Sequence, residues 1–279
     1  MGLPMVRRLH AAGWGTVAVD RDDDRLRAAE PFATALPLAE AVERCPIICT
    51  SLPSSSSFVQ LVEEDLLQKL RSGQWLVDFG TVAPPETRRL SALLNERGVH
   101  AVDAPVSGGP WGVNQGTLRV FFGASAEDAA AIRPLLETVA GTNGLVTHCG
   151  PPGAGQIVKG VNQLMMGLGA AAYLEALAFG VRAGVDAEVL AKAVGGDGRW
   201  RADLGAVARQ IAEGKGLEVG TKFRELPYFL AEAEATGAQL PITACLWNLL
   251  AEAPRVTVDD HRDAPSFWHE LLRQGDQPS

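Results

Sequence analysis

Concentrated positive charge is what the chain most plainly lacks: 25 Lys and Arg stand against 33 Asp and Glu, the formal net charge is −8, and no stretch gathers the cations. Binding to a phosphate backbone depends on clustered Lys and Arg, so no nucleic-acid partner is expected. Cysteine is also scarce. Cys45, Cys49, Cys149 and Cys245 are scattered, without a CxxC pair and without histidine at metal-ligand spacing. That pattern provides neither a zinc module nor a disulfide framework, and it fits a reducing cytoplasm. Long apolar runs are missing too. The longest charge-free one, Gly160 to Leu174, falls short of the roughly 20 residues a membrane span needs and carries Asn162 and Gln163. It reads as a buried helix, and no membrane partner is expected. Arg7, Arg8 and His10 interrupt the place where a signal peptide would have its apolar core, and Val6 stands where a myristoylation start would have Ser or Thr.

What is present is enough apolar material for two cores: 47% of 279 residues are hydrophobic. Up to residue 150 short β-rich runs alternate with helical stretches. Strands are predicted at Thr16–Asp20, Pro46–Thr50, Trp75–Phe79, Val99–Asp103, Leu118–Phe122 and Leu145–His148, mostly as continuous apolar runs suited to strands covered on both faces. Helices are predicted between them at Leu3–Ala12, Asp22–Glu30, Ser55–Val62, Pro85–Arg97 and Ala126–Val139, several opened by Ser, Asp or Pro. This alternation is the plan of a doubly wound, Rossmann-like α/β domain with a parallel sheet. After Gly-Pro-Pro-Gly at 150–153 strand signals stop, and helical periodicity runs through Gln156–Ala183, Ala187–Val194, Phe223–Ala235, Thr243–Glu252 and Ser266–Arg273. The expected organisation is an α/β domain at 1–150 and an all-helical domain at 151–279. There is no internal repeat, and the only low-complexity patch is Ser54–Ser57.

A dinucleotide fold ordinarily opens with an apolar strand and a Gly-x-Gly-x-x-Gly turn. Here Met1-Gly2-Leu3-Pro4-Met5 leads straight into a helix, then Gly13 and Thr16–Asp20. That order resembles the β-hydroxyacid dehydrogenases, the 3-hydroxyisobutyrate dehydrogenase family, from the third glycine of GLGxMGxPM onward, and Gly2 matches that third glycine. The first strand and both earlier glycines are absent from the sequence. Either the start is assigned too late or the chain is impaired; the downstream motifs are intact, which favours the first.

An acidic residue closing the second strand would accept hydrogen bonds from the adenosine ribose and repel a 2′-phosphate. Asp20 stands there, with Arg21 placed to stack on adenine or meet a 2′-phosphate, and the acidic run Asp22–Asp24 favours NAD over NADP. Asp23 and Asp24 are also ordinary solvated residues of a helix start. Thr50-Ser51-Leu52-Pro53 resembles the family loop in which Leu52 and Pro53 would line the cofactor. Val77-Asp78-Phe79-Gly80-Thr81 resembles its Val-Asp-Met-Ser-Thr run, which implies Thr81 at the nicotinamide ribose, with Gly80 replacing the usual Ser. Arg224-Glu225-Leu226 stands where the family has Lys-Asp-Leu, so Arg224 is carried over to the cofactor edge despite its different geometry.

Two segments carry the chemistry. Asp103-Ala104-Pro105-Val106-Ser107-Gly108-Gly109 through Gly116-Thr117-Leu118 closely resembles the substrate signature DAPVSGGxxGAxxGTL, with Pro110, Trp111 and Val113 as departures. Ser107 with the unhindered amides of Gly108 and Gly109 forms a nest suited to a carboxylate. Trp111 is equally suited to walling the pocket or packing between domains. The second segment, Gly153-Ala154-Gly155-Gln156 through Lys159, Asn162 and Gln163, resembles GxGxxxKxxN(N/Q), and its last three residues share one helix face at i, i+3 and i+4. A lysine at a helix start is usually a solvated cation. In a central apolar helix, desolvation would instead lower its pKa toward the working range of a general acid/base. The resemblance therefore implies an NAD- or NADP-dependent oxidation of a small 3-hydroxy acid, with Lys159 as acid/base and Asn162 and Gln163 orienting it. It also implies a homodimer or homotetramer formed through the helical domain. An imine reductase-like enzyme is the alternative of related architecture, a poorer resemblance because those enzymes generally lack the Lys-x-x-Asn helix, and 6-phosphogluconate dehydrogenases carry a larger helical domain. A cofactor-free dimerisation module is the non-enzymatic alternative.

Overall fold

The computed structural model describes residues 1–212 and 225–252. The chain divides into two compact units, residues 1–160 and 161–279, the division falling inside the helix that follows the Gly150–Gly153 turn.

In chain order the first unit runs α1 (Gly2–Ala11), β1 (Val17–Ala18), α2 (Asp23–Ala29), β2 (Thr34–Ala35), α3 (Leu38–Arg44), β3 (Ile47–Thr50) and α4 (Ser55–Gln60). A π turn (Leu61–Leu66), α5 (Leu67–Lys69), β4 (Trp75–Asp78), α6 (Pro84–Asn95), β5 (His100–Asp103), β6 (Val106–Ser107) and α7 (Gly109–Gln115) come next. Then follow β7 (Arg119–Gly123), α8 (Ala126–Ala140), β8 (Leu145–Gly150) and the start of α9 (Ala154–Arg182). The residues expected to open helices do so by satisfying their first amides. Asp22 accepts from Asp24 and Arg25, Ser54 from Ser57, and Ser125 from Asp128, while Pro84 and Pro85 lead α6, where a missing N–H costs nothing.

Strands β3, β4 and β5 are parallel neighbours, in a register that sets Thr50 beside Asp78 and Asp78 beside Asp103. Beyond them β7 pairs with β5 in the opposite sense, β6 lies antiparallel on β7, and β8 runs parallel to β7. The sheet is therefore parallel in two blocks of opposed direction, β3–β4–β5 and β7–β8, with β6 running antiparallel to β7. Strands β1 and β2 form a separate parallel pair.

Alternation along each strand builds both layers of the core. Val77, Val102, Val120 and Phe122 face one cluster with Met5 and Leu9 of α1 and Ile132, Leu136 and Val139 of α8. Leu76 and Ala101 face the other, with Val42, Phe58, Val62, Leu90 and Leu94. Burial on both faces explains why these strands read as unbroken apolar runs. The elements that sequence periodicity did not predict are β2, β6, α3, α5, α7 and α11, and five of them have seven residues or fewer, too few to establish a period.

In the second unit α9 continues to Arg182, followed by α10 (Ala187–Val194), α11 (Arg199–Ala212), α12 (Leu226–Thr236) and α13 (Pro241–Glu252). Leu177, Ala191, Leu204 and Ala208 form its core cluster. The expected helix at Ser266–Arg273 lies outside the described residues. The expectation that the apolar run after Gly160 is simply buried needs correcting. Leu174 and Leu177 are buried, but Val161, Met165 and Phe179 are 59%, 69% and 77% exposed. By length and composition alone, α9 is the one described helix able to cross a membrane.

Phe122 is fully buried, with the His148 ring 5.0 Å away by centroid and the Arg133 guanidinium 5.6 Å from its ring. Phe122→Ala should cost about 3–5 kcal/mol in urea unfolding. A loss below about 1 kcal/mol would show that β7 is not central to the core.

Candidate active site

The C-terminal ends of β4 and β5 place two carboxyl groups side by side in the interior. Asp78 Oδ1 accepts from Thr50 Oγ1 at 2.7 Å and from the Gly80 amide at 3.1 Å. Its Oδ2 is buried without a hydrogen-bond partner among the described residues. Asp103 accepts the amides of Gly153 at 2.7 Å and Gln156 at 3.0 Å, so it caps the start of α9 from across the sheet. The approach is possible only because Gly155 has no side chain: a Cβ there would lie 2.7 Å from Asp103 Oδ2 and 2.6 Å from the Phe121 carbonyl. Burial pushes Asp78 up to about 6 against the pull of its two donors. Burial also pushes Asp103 up to about 7, with the Asp78 charge adding to it and the two amides opposing.

Lys159, in the second turn of α9, is 5% exposed, and its Nζ donates to the Val106 carbonyl at 2.8 Å. Val106 and Ser107 form β6, held in register against Val120 and Arg119 of β7. Immediately after it Gly108 and Gly109 take φ of +124° and +61°, which other residues rarely adopt, so the turn is one that glycine makes possible. A Cβ at Gly109 would meet nothing within 4 Å, which leaves that side of the backbone open. The structure thus sets Lys159 against β6, the strand of Val106 and Ser107 that leads into Gly108 and Gly109. Trp111, on α7, is 66% exposed.

Thr81 is half-buried in the loop after β4, and the loop is held by side chains from elsewhere. Gly80 donates to Asp78, Val82 to Gln156 Oε1 at 3.1 Å and Ala83 to Ser55 Oγ at 3.1 Å. A Cβ at Gly80 would stand 3.1 Å from Asp78 Oδ1 and 3.5 Å from the Leu52 carbonyl, a reason for glycine where the family usually has Ser. Leu52 is half-buried and Pro53 exposed, in the loop after β3. Asp20 follows β1, with its side chain 36% exposed and 3.9 Å from Arg25; Arg21 is exposed. The exposed acid after β1 and the loops after β3 and β4 lie at the strand ends where open α/β sheets receive nucleotides, and this donor set fits a nicotinamide dinucleotide. Gly2 is the first residue of α1, and a Cβ there would meet nothing within 4 Å, so close helix packing is not what this glycine serves here.

In the second unit Gln163 is buried and donates to Glu225 Oε2 at 2.9 Å, and Asn162 is half-buried. Arg224 lies outside the described residues. The residues that sequence reasoning missed are Gln156, Glu225 and the capping role of Asp103. Gln156 and Asp103 lay within quoted motifs, but their partners are 50 or more positions away.

Residues 1–150 match the family model of the NAD binding domain of 6-phosphogluconate dehydrogenase, and residues 153–266 that of NAD-binding of NADP-dependent 3-hydroxyisobutyrate dehydrogenase. A 3-hydroxyisobutyrate dehydrogenase of Pseudomonas aeruginosa is 31% identical over 268 residues, covering 90% of this chain and 88% of that protein. An NAD-dependent L-serine dehydrogenase of the same organism is 35% identical over 211 residues, 73% of this chain and 70% of its own. Among solved structures, the 3-hydroxyisobutyrate dehydrogenase of Mycobacterium tuberculosis with L-serine superposes with a TM-score of 0.79 at 24% identity, covering 99% of this chain and 96% of that one.

The raised Asp78 pKa gives a pH signature. A carboxyl raised from 3.8 to about 6 by folding contributes most stability below the lower value, loses it as pH rises through the upper one, and is constant above. Asp78→Asn keeps an acceptor for Thr50 and Gly80 and removes the charge. It should exceed wild type by about 1–3 kcal/mol at about pH 8 in urea unfolding, with the gain gone near pH 4. An equal difference at both pH values would count against a buried charge at this position.

Proposed function

Because the chain belongs to the β-hydroxyacid dehydrogenase family, we propose that Lys159 is the general acid/base in its oxidation of a small 3-hydroxy acid. The coarser activity is that of the family: an NAD(P)-dependent hydroxyacid dehydrogenase. The observation that carries the finer reading is the 2.8 Å hydrogen bond from Lys159 Nζ to Val106, the residue before Ser107, Gly108 and Gly109.

A bound nicotinamide supplies the hydride acceptor. Asp20 would hold the adenosine ribose, which favours NAD, and Thr81 the nicotinamide ribose, with Leu52, Pro53, Arg21 and Arg224 along the cofactor. Ser107 and the Gly108–Gly109 amides bind the substrate carboxylate and leave its carbinol near Lys159. Lys159 Nζ takes the hydroxyl proton as the carbon–hydrogen bond breaks, and returns it in the reverse reduction. Asn162 and Gln163 orient Lys159 and substrate from the same helix face, Gln163 itself being held by Glu225.

Relatives named for 3-hydroxyisobutyrate and L-serine make those two compounds the first substrates to assay. Lys159→Ala should lower turnover of whichever is used by about 10³-fold or more, while NADH binding, read by nicotinamide fluorescence, stays within about threefold. Turnover that survives the substitution would refute the role of Lys159.

We read the exposed apolar face of α9 as a homo-oligomer surface in a cytoplasmic protein, with buried Lys159 and Gln163 near its start arguing against a membrane span. Phe179→Glu should shift the mass measured by light scattering from dimer or tetramer toward monomer. A wild-type monomer would overturn this assignment.

A further inference from the structure

Gln156 is a fully buried polar side chain three residues before Lys159, and all of its hydrogen bonding goes to one loop. Its Oε1 accepts from the Val82 amide at 3.1 Å, and its Nε2 donates to the Gly80 carbonyl at 3.1 Å. The residue between those two contacts is Thr81. The backbone amide of Gln156 is tied in turn, donating to Asp103 Oδ2 at 3.0 Å. The side-chain amide thus pairs with the loop as a neighbouring strand would, using one donor and one acceptor in the same plane.

A buried amide of this kind is costly unless both ends are satisfied, and a simpler solution, an apolar side chain, would fill the space. From the two bonds flanking Thr81, together with the backbone bond to Asp103, we infer that Gln156 is a positioning residue that fixes the Thr81 loop in register with Lys159. The inference rests on the dehydrogenase reading, in which Thr81 meets the nicotinamide ribose and Lys159 the reacting hydroxyl. Gln156 is itself fully buried, so in this reading it acts through the loop. It holds the distance between the two residues that do, and misplacement of reacting groups by about 1 Å is enough to cost about 100-fold in rate.

The test compares wild type, Gln156→Met and Gln156→Glu. Methionine has the same length and neither hydrogen bond. A protonated glutamic acid restores both, its O–H donating to Gly80 and its carbonyl accepting from Val82. In Gln156→Met, kcat should fall about 100-fold, with KM for substrate and NADH within about threefold. The rate of Gln156→Glu relative to wild type should rise as pH falls, whereas the Gln156→Met ratio stays flat. The Asp103 carboxyl next to it titrates in all three proteins and largely cancels in the ratio. A kcat within about twofold of wild type in folded Gln156→Met would overturn the inference, and so would a flat pH ratio for Gln156→Glu.

Amide hydrogen exchange on the proteins without cofactor separates this inference from the reading beneath it. Val82 should exchange at least about tenfold faster in Gln156→Met, while Ala83, held by Ser55, is unchanged. If wild type neither binds NADH nor turns over, the dehydrogenase reading fails, and the exchange at Val82 still decides the brace: an unchanged Val82 amide refutes it. If Gln156→Met does not fold, Gln156→Glu carries both readouts.

Discussion

The geometry of the site depends first on one buried carboxyl group receiving the backbone of a helix start. Asp103 ends β5, a strand fixed in the sheet by its register with β4, and accepts the amides of Gly153 and Gln156. A rigid strand is thereby connected to the beginning of α9, and every side chain of the opening of that helix inherits its position from the sheet. The interaction is favourable in sense, since a negative charge faces the positive end of the helix, and unfavourable in setting, since burial raises the Asp103 pKa to about 7. A solvated helix start would avoid the second effect, but it would also release Lys159 from β6.

From that anchor the site is assembled by side chains that reach across to main chain. The loop carrying Thr81 donates its amides at Gly80, Val82 and Ala83 to Asp78, Gln156 and Ser55, which come from β4, α9 and α4. Its shape is therefore a tertiary property and owes little to local turn propensity. The loop stays still only while three separate elements stay in register, which is what a site needs if it must hold a ribose and a proton acceptor at a constant separation.

These facts mark how far the sequence is legible. Strands such as Trp75–Asp78 and His100–Asp103 announce themselves because burial on both faces makes them continuously apolar, and helices such as α2 and α8 because Asp22 and Ser125 satisfy their first amides. The Lys159 helix face and the Ser107–Gly109 turn are visible as spacing. Gln156 was not legible as a brace, because nothing local distinguishes a glutamine that bonds to residues 80 and 82 from one that meets solvent. Strands of two residues, β2 and β6, have no period to detect. The α9 run is apolar on all sides, and composition alone cannot say which side its own chain covers.

Asp78 and Asp103 show how the fold trades stability for position. They are neighbours in register, both buried, and the Asp78 charge makes Asp103 harder to ionise, yet their coordination differs. Asp103 faces two amides of a helix start. Asp78 has one amide, one hydroxyl and an oxygen with no hydrogen-bond partner among the described residues. A fold selected for stability alone would place apolar residues at both strand ends. Carboxyl groups there direct two chain segments, the turn at Gly80 and the start of α9, into fixed geometry, and those segments lead to Thr81 and Lys159. The unfavourable burial is therefore concentrated where position matters most, and the hydrophobic layers on either face of the sheet are what allow the fold to sustain it.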